Sequence, residues 1–157
     1  MPLFIVLHNV HSVQRVTDIV KVVKEFKNIV SALIITKAIG AAAQSGVPEA
    51  FKIAFKENLK VIYLQDLNDI VELVNPEKIY LVTPLSPQEN ISSIQDVISD
   101  LRENKRVILV FCGIDTGFTR SELKIGKPLF IERLKGHIGP IGEASIILYE
   151  ISKLIMS

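Results

Sequence analysis

Arg106-Val107-Ile108-Leu109-Val110-Phe111-Cys112-Gly113-Ile114-Asp115-Thr116-Gly117 is the stretch on which the fold turns. Its first half, Arg106–Phe111, is short, rich in β-branched residues and largely apolar on both faces, the pattern of a strand covered by helices on both sides. Working outward, the same pattern recurs at Leu3–Leu7, Ile29–Ile35, Leu59–Leu64, Lys78–Val82 and Pro128–Ile131. The intervening segments have helical spacing. Val16, Ile19, Val20 and Val23 form one stripe, with Arg15, Asp18, Lys21 and Lys24 turned away from it. Pro48 suits a first helical turn and leads into Ala50, Phe51, Ala54 and Phe55. Asp66 fits an N-cap for Leu67–Val74, which Pro76 then stops. Ile91, Ile94, Val97, Ile98 and Leu101 mark another helix, and Ile147, Leu148, Ile151 and Leu154 mark a last one from about Gly142 to Ile155. Strands alternating with helices, without repeat or linker, predict a single α/β domain over residues 1–157 with a mainly parallel sheet and helices on both faces. Ligands in such sheets sit beyond the carboxyl ends of the strands.

Composition narrows the classes. A chain of 157 residues, 48% hydrophobic and 22% charged, can build one core and is not a disordered chain. No apolar run approaches the roughly 18 residues of a membrane span. Met1-Pro2-Leu3 lacks the basic start of a signal peptide, so the expected location is the cytoplasm. The single Cys112 excludes an internal disulfide and a cysteine-based zinc knuckle. The net charge of +1 is unevenly spread: residues 1–100 carry 9 basic and 11 acidic side chains, residues 101–157 carry 9 and 6. Arg120, Lys124, Lys127, Arg133 and Lys135 outnumber Glu122 and Glu132 on the way to His137. That segment reads either as a solvated loop or as a phosphate-facing edge.

The strand ends hold the candidate chemistry. His8-Asn9-Val10-His11 follows the first strand, and with only His137 as a third imidazole, solvated or hydrogen-bonded histidines fit better than a metal site. Thr83-Pro84-Leu85-Ser86-Pro87 is a stiff turn after the fourth strand, either a ligand wall or a plain connection. In Cys112–Phe118 two glycines bracket Asp115 and let backbone approach a ligand closely. Asp115 followed by Glu122-Leu123-Lys124 has a spacing that metal-dependent nucleases use, the acids holding Mg²⁺ and the lysine aiding water. Leu134–Gly142 ends in three glycines and a proline and opens into the last helix, whose N-terminus offers free N–H donors. Neither a phosphate-binding P-loop nor a G-x-G-x-x-G helix opening is present.

His8-Asn9-Val10-His11-Ser12-Val13-Gln14-Arg15 resembles the first motif of the SpoU (TrmH-like) RNA ribose methyltransferases of the SPOUT superfamily. Leu109–Thr119 resembles their second motif, and Gly136–Glu150 their third. The family's asparagine and catalytic arginine fall on Asn9 and Arg15, its second-motif glutamate on Ile114, with Asp115 one place on, and its Ser-x-Asn on His137-Ile138-Gly139. The resemblance implies a C-terminal trefoil knot, S-adenosylmethionine bound in it, and a homodimer. It also implies an S-adenosylmethionine-dependent RNA methyltransferase acting on a ribose 2′-hydroxyl of rRNA or tRNA, without a metal.

On that reading Asn9 and Arg15 orient or activate the hydroxyl. Thr83, Pro84, Gly113, Asp115, Ile131, Gly136, Ile138 and Gly139 line the cofactor, and Arg15, Arg120, Lys124 and Lys135 hold RNA. A homodimer is also expected because Ile146, Ile147, Leu148, Ile151, Leu154 and Ile155 exceed one core-facing stripe. Two alternatives stand beside it: a non-catalytic RNA-binding or cofactor-sensing dimer of the same fold, and a Mg²⁺-dependent nuclease built on Asp115, Glu122 and Lys124.

Overall fold

Six strands, all parallel, carry the architecture: β1 (Leu3–Val10), β2 (Ala32–Ala38), β3 (Val61–Leu64), β4 (Lys78–Val82), β5 (Val107–Cys112) and β6 (Lys127–Leu129), in the order β3-β2-β1-β5-β4-β6. The computed structural model describes residues 2–84 and 91–155. Among the described residues six α-helices accompany the strands: α1 (Val13–Lys24), α2 (Val47–Glu57), α3 (Asn68–Val74), α4 (Ile94–Arg102), α5 (Arg120–Leu123) and α6 (Gly139–Ile155). A π-helical turn, Ala42–Gly46, leads into α2.

Alternate residues of each strand enter different cores, as the pleat requires. Leu3, Ile5 and Leu7 of β1 join Leu33, Ile35, Leu109 and Phe111 under α1, α2, α4 and α6. Val6 joins Ile34, Leu81, Ile108 and Val110 on the opposite face, closed by Leu67 and Ile70 beside α3 and by Phe118 and Leu123 around α5. The expected α/β class, with a parallel sheet covered on both faces, is what the chain forms. Each fully buried aliphatic side chain, such as Ile19 or Leu33, contributes about 1.5–3 kcal/mol.

Local chemistry explains the differences from the sequence reading. β2 starts at Ala32, not Ile29, because the N–H groups of Ile29 and Val30 both close a turn on the Phe26 carbonyl, at 2.9 and 3.0 Å. α2 buries Val47, Ala50 and Ala54 and leaves Phe51 and Phe55 outside, 41% and 89% exposed, since it packs on α1 through small residues. α3 begins at Asn68, and Asp66 accepts from the N–H of Leu67 just ahead of it. α6 begins at Gly139, three residues before the expected Gly142. α5 is a short helix that the apolar spacing does not reveal. Of the two-proline turn, Thr83 and Pro84 are described, and Leu85, Ser86 and Pro87 lie outside the described residues.

The strand order places the site. The first half of the chain builds outward from β1 on one side, and the second half builds outward from β5 on the other. Their loops part at the carboxyl ends of β1 and β5, where a doubly wound sheet opens a crevice.

Candidate functional site

The crevice starts from a kink in two adjacent strands. His8 pairs with Thr36 and Val10 with Ala38, while the intervening Asn9 and Lys37 both adopt left-handed backbone, φ 60° and 50°. Asparagine tolerates this conformation better than most residues. Asn9 Oδ1 accepts from His11 Nε2 at 3.2 Å, so its amide stays within its own turn. The kink brings β1 against β5 so closely that a Cβ on Gly113 would lie 2.7 Å from the Asn9 carbonyl oxygen and 2.9 Å from Val10 Cα. Only glycine fits there.

Arg15 ties three segments together. Ser12 Oγ caps α1 by accepting the Arg15 N–H at 3.2 Å, which sets the arginine in the first helical turn. Its Nη1 donates to the Gly113 carbonyl and its Nη2 to Asp115 Oδ1, each at 2.7 Å. The same Asp115 oxygen faces His137 Nε2 at 3.3 Å, on the loop that opens α6. Arg15 first, then His137, hold the Asp115 carboxyl below the usual carboxylate range. Asp115, 70% exposed, stands at the crevice mouth.

Behind the mouth lies a cavity of about 160 Å³. Val82, Cys112, Ile114, Phe118 and Leu123 form much of its wall, with Thr83, Asp115, His137 and Glu143 among its polar lining. Glu143, in the second turn of α6, is 4% exposed, and burial alone pushes its carboxyl up to about 7. Burial also pushes the Cys112 thiol up.

On the α5 side of the sheet a second polar chain is closed on itself. His8 stacks on Phe118, donates through Nε2 to Glu122 Oε2, and pairs through Nδ1 with Thr36 Oγ1 at 2.7 Å. Glu122 Oε1 accepts the Thr119 N–H at 2.8 Å and completes the capping box of α5. Burial pulls the Glu122 carboxyl up, but the Thr119 and His8 donors outweigh it and hold it below its ordinary value.

This geometry does not fit the Mg²⁺ arrangement expected of Asp115, Glu122 and Lys124. Asp115 is already paired with a guanidinium, and both Glu122 oxygens hold donors that fix the loop. Lys124 is the exposed C-cap of α5. Among the described residues no group of three or more His, Cys, Asp and Glu side chains is placed to hold a metal ion.

The other expected site residues divide. Thr83, Pro84 and Asp115 line the cavity, and Ile131 and Gly136 line a small adjoining recess with Thr83, Pro84 and Glu143. Gly113 lies at the β1–β5 contact, outside the lining, and presents its carbonyl to Arg15. Gly139 opens α6 at φ 84°, beside the Arg15 guanidinium, while Ile138 is exposed and leans on Gly142. Arg120, Lys124 and Lys135 are exposed and form no ion pair among the described residues. The basic segment is not one patch: Lys127 lines a recess with Lys78 and Asp100, and Arg133 lines another with Glu132 and Glu150. The sequence reading missed Glu143 and the His8–Glu122 pair. The available signal for Glu143 was an acid on the apolar line of Pro140, Ala144, Ile147 and Ile151.

A family model described as "RecB-family nuclease (DUF2122)" matches residues 40–150. A "Putative type II restriction enzyme" of Methanocaldococcus jannaschii is 36% identical over 154 residues, spanning 98% of each chain. A protein of Aeropyrum pernix with the same description is 38% identical over 144 residues, spanning 92% of this chain and 88% of that one. Among solved structures, the SpoU methyltransferase AviRb from Streptomyces viridochromogenes in complex with AdoMet matches with a TM-score of 0.73 at 11% identity, over 98% of this chain and 58% of that chain. At that identity the likeness concerns the fold alone.

These relatives overturn the assignment to the SpoU methyltransferases, and with it the expected S-adenosylmethionine-dependent methylation of rRNA or tRNA. The physical reason lies in what the motifs encode. Gly113 is demanded by the closeness of β1 and β5, whatever reaction occurs nearby. The polar positions that would carry methyl-transfer chemistry are Ile114 and His137-Ile138-Gly139 instead. The resemblance therefore reported a shared sheet and its turns. Among the described residues no helix is long and apolar enough to cross a membrane.

Proposed function

The chain belongs to the DUF2122 family of RecB-family nucleases, and on that premise we propose that it cleaves the phosphodiester backbone of nucleic acid at the mouth of the β1–β5 crevice. The observation that carries this reading is the Arg15–Asp115–His137 chain, in which one exposed carboxylate orients both a guanidinium and an imidazole. A base oriented by a third group is the arrangement that general-base catalysis needs. In the proposed step the His137 ring nitrogen not facing Asp115 takes a proton from water. The water oxygen bonds to phosphorus, the bond to the leaving sugar oxygen breaks, and that oxygen takes up a proton from solvent. Asp115 stabilises the imidazolium that forms, and the planar Arg15 fork offsets charge on the phosphate oxygens. No step runs through a metal: Asp115 is paired with Arg15 and His137, both Glu122 oxygens hold donors, and among the described residues no three ligating side chains converge.

The test is incubation with plasmid DNA, single-stranded DNA and RNA, in Mg²⁺ and in excess chelator. Cleavage is expected to survive the chelator and to fall about 100-fold or more in His137→Ala. Intact substrates under every condition, or equal cleavage by the variant, would overturn the proposal.

A second reading concerns a bound small molecule. Thr83 and Pro84 line both the cavity and the adjoining recess of Ile131 and Gly136, and the fold neighbour AviRb is in complex with AdoMet, which together favour S-adenosylmethionine as a ligand there, bound without methyl transfer. Small-molecule sites start at about 300 Å³, so the cavity of about 160 Å³ would have to open. Titration calorimetry with S-adenosylmethionine decides the point. Exposed Tyr149 and Leu154 on α6 support the homodimer as part of this proposal, to be tested by light scattering at micromolar concentration.

A further inference from the structure

Glu143 has no hydrogen-bonding or ionic partner among the described residues, although it is 4% exposed. Among the described residues no fully buried side-chain oxygen lacks a partner, so the little exposure that Glu143 keeps includes its carboxyl oxygens. It lines the cavity, where Phe118, Val82, Leu123 and Ile114 supply apolar wall and the opening lies beside the Arg15–Asp115–His137 chain. A space that is apolar on most sides, with one unused carboxyl in its lining, is complementary to a flat ring with a hydrogen-bonding edge.

We propose that this cavity is a base pocket, which takes a pyrimidine ring with its hydrogen-bonding edge against Glu143. Size selects the ring. A cavity of about 150 Å³ admits one six-membered ring such as benzene, so 160 Å³ holds a pyrimidine as it stands, whereas the fused rings of a purine need it to open. Chemistry selects the edge. The carboxylate accepts from an amino or imino N–H, as it does from the cytosine amino group in base recognition. In its acid form Glu143 also donates to a ring carbonyl or ring nitrogen, and burial keeps both forms available near neutrality. The other titratable groups facing this space are Asp115 and His137 at the mouth and Cys112 at the end of β5.

The ring has two possible sources, a free nucleoside or a nucleotide turned out of a strand, the route by which enzymes reach a base that is otherwise stacked. The inference deepens the phosphodiesterase reading by naming what is held beside the cleavage site. Its test measures binding and not cleavage, so the two can fail separately.

The full chain is titrated by calorimetry with cytidine, uridine and adenosine, and then with a single-stranded oligonucleotide carrying 2-aminopurine beside a cytosine, whose fluorescence rises when the cytosine leaves the stack. Pyrimidine nucleosides are expected to bind at least tenfold more tightly than adenosine. Glu143→Leu is expected to lose at least tenfold of that affinity, and Glu143→Gln, which keeps an acceptor, to retain part of it. Binding of nucleosides without a fluorescence change assigns the site to free nucleosides, and a rise in fluorescence assigns it to strands. Equal affinity for adenosine and cytidine would overturn the proposal. So would undetectable binding of every probe, or affinities in Glu143→Leu and Glu143→Gln both equal to the parent's.

Discussion

Replacing Glu143 by Gln should change the pH dependence of stability in a direction that the structure fixes. Burial raises the carboxyl from its ordinary 4.5 to about 7. Between those two values the folded chain holds a proton that the unfolded chain has lost. Stability is therefore fully present below about pH 4.5, falls as pH rises, and levels off above about pH 7. The two values differ by about 2.5 pH units, and at about 1.4 kcal/mol per unit the total is about 3–4 kcal/mol. Glutamine cannot ionise, so its own burial cost is constant and drops out of the slope. Urea denaturation of parent and variant at intervals from pH 4 to pH 8.5 checks this. The variant should gain about 3–4 kcal/mol on the parent across the range, with Asp115, His137 and Cys112 present in both. A difference that stays flat with pH would refute the assignment of Glu143 as a buried acid.

Gly113→Ala should destabilise by about 1–3 kcal/mol by thermal or chemical melting, because the added carbon meets the backbone of Asn9 and Val10. An unchanged melting temperature would mean that the β1–β5 contact is looser than described. Glu122→Gln should cost about 1.5–3 kcal/mol through the weakened His8 and Thr119 bonds. Because the Glu122 carboxyl is held below its ordinary 4.5, that contribution is present above this pH and is lost as pH falls through the folded value. Parallel pH profiles for parent and variant would contradict it. Arg15→Ala should let the Asp115 carboxyl titrate at higher pH, read by the NMR shift of its side-chain carbon, with little change in stability at this exposed site.

Much of the fold was legible because parallel strands buried on both faces have a composition that little else has. All six strands were found from their β-branched runs, and the α1 stripe of Val16, Ile19, Val20 and Val23 is fully buried as spaced. Elements set by hydrogen bonding were less visible. α5 depends on a Thr119–Glu122 capping box and not on apolar period. Phe51 and Phe55 look like core and lie outside, since small Ala50 and Ala54 make the closer contact. At the site, Arg15 and Asp115 were marked as candidates, but their pairing spans 100 residues of sequence and belongs to the folded chain alone. Glu122 shows the limit most plainly. Its spacing from Asp115 and Lys124 suggested a metal ligand, whereas its neighbours in space, His8 and Thr119, make it a fastening for the loop.

The strand order has a consequence for assembly. The seam between β1 and β5 joins residues about 100 apart, while the pairs on either side of it are mostly closer in sequence. A ribosome would release β1, β2 and β3 together with α1 and α2 as one sub-sheet well before β5 exists to pair with β1. Until then the hydrogen-bonding edge of β1 stands open, lined by Ile5, Val6 and Leu7, and invites pairing with another nascent chain. α6 then straddles the closed seam, packing on α1 from one half and α4 from the other, and acts as the bolt that keeps the halves from parting. Two fragments cut between β3 and β4 should therefore recombine only when the second retains α6.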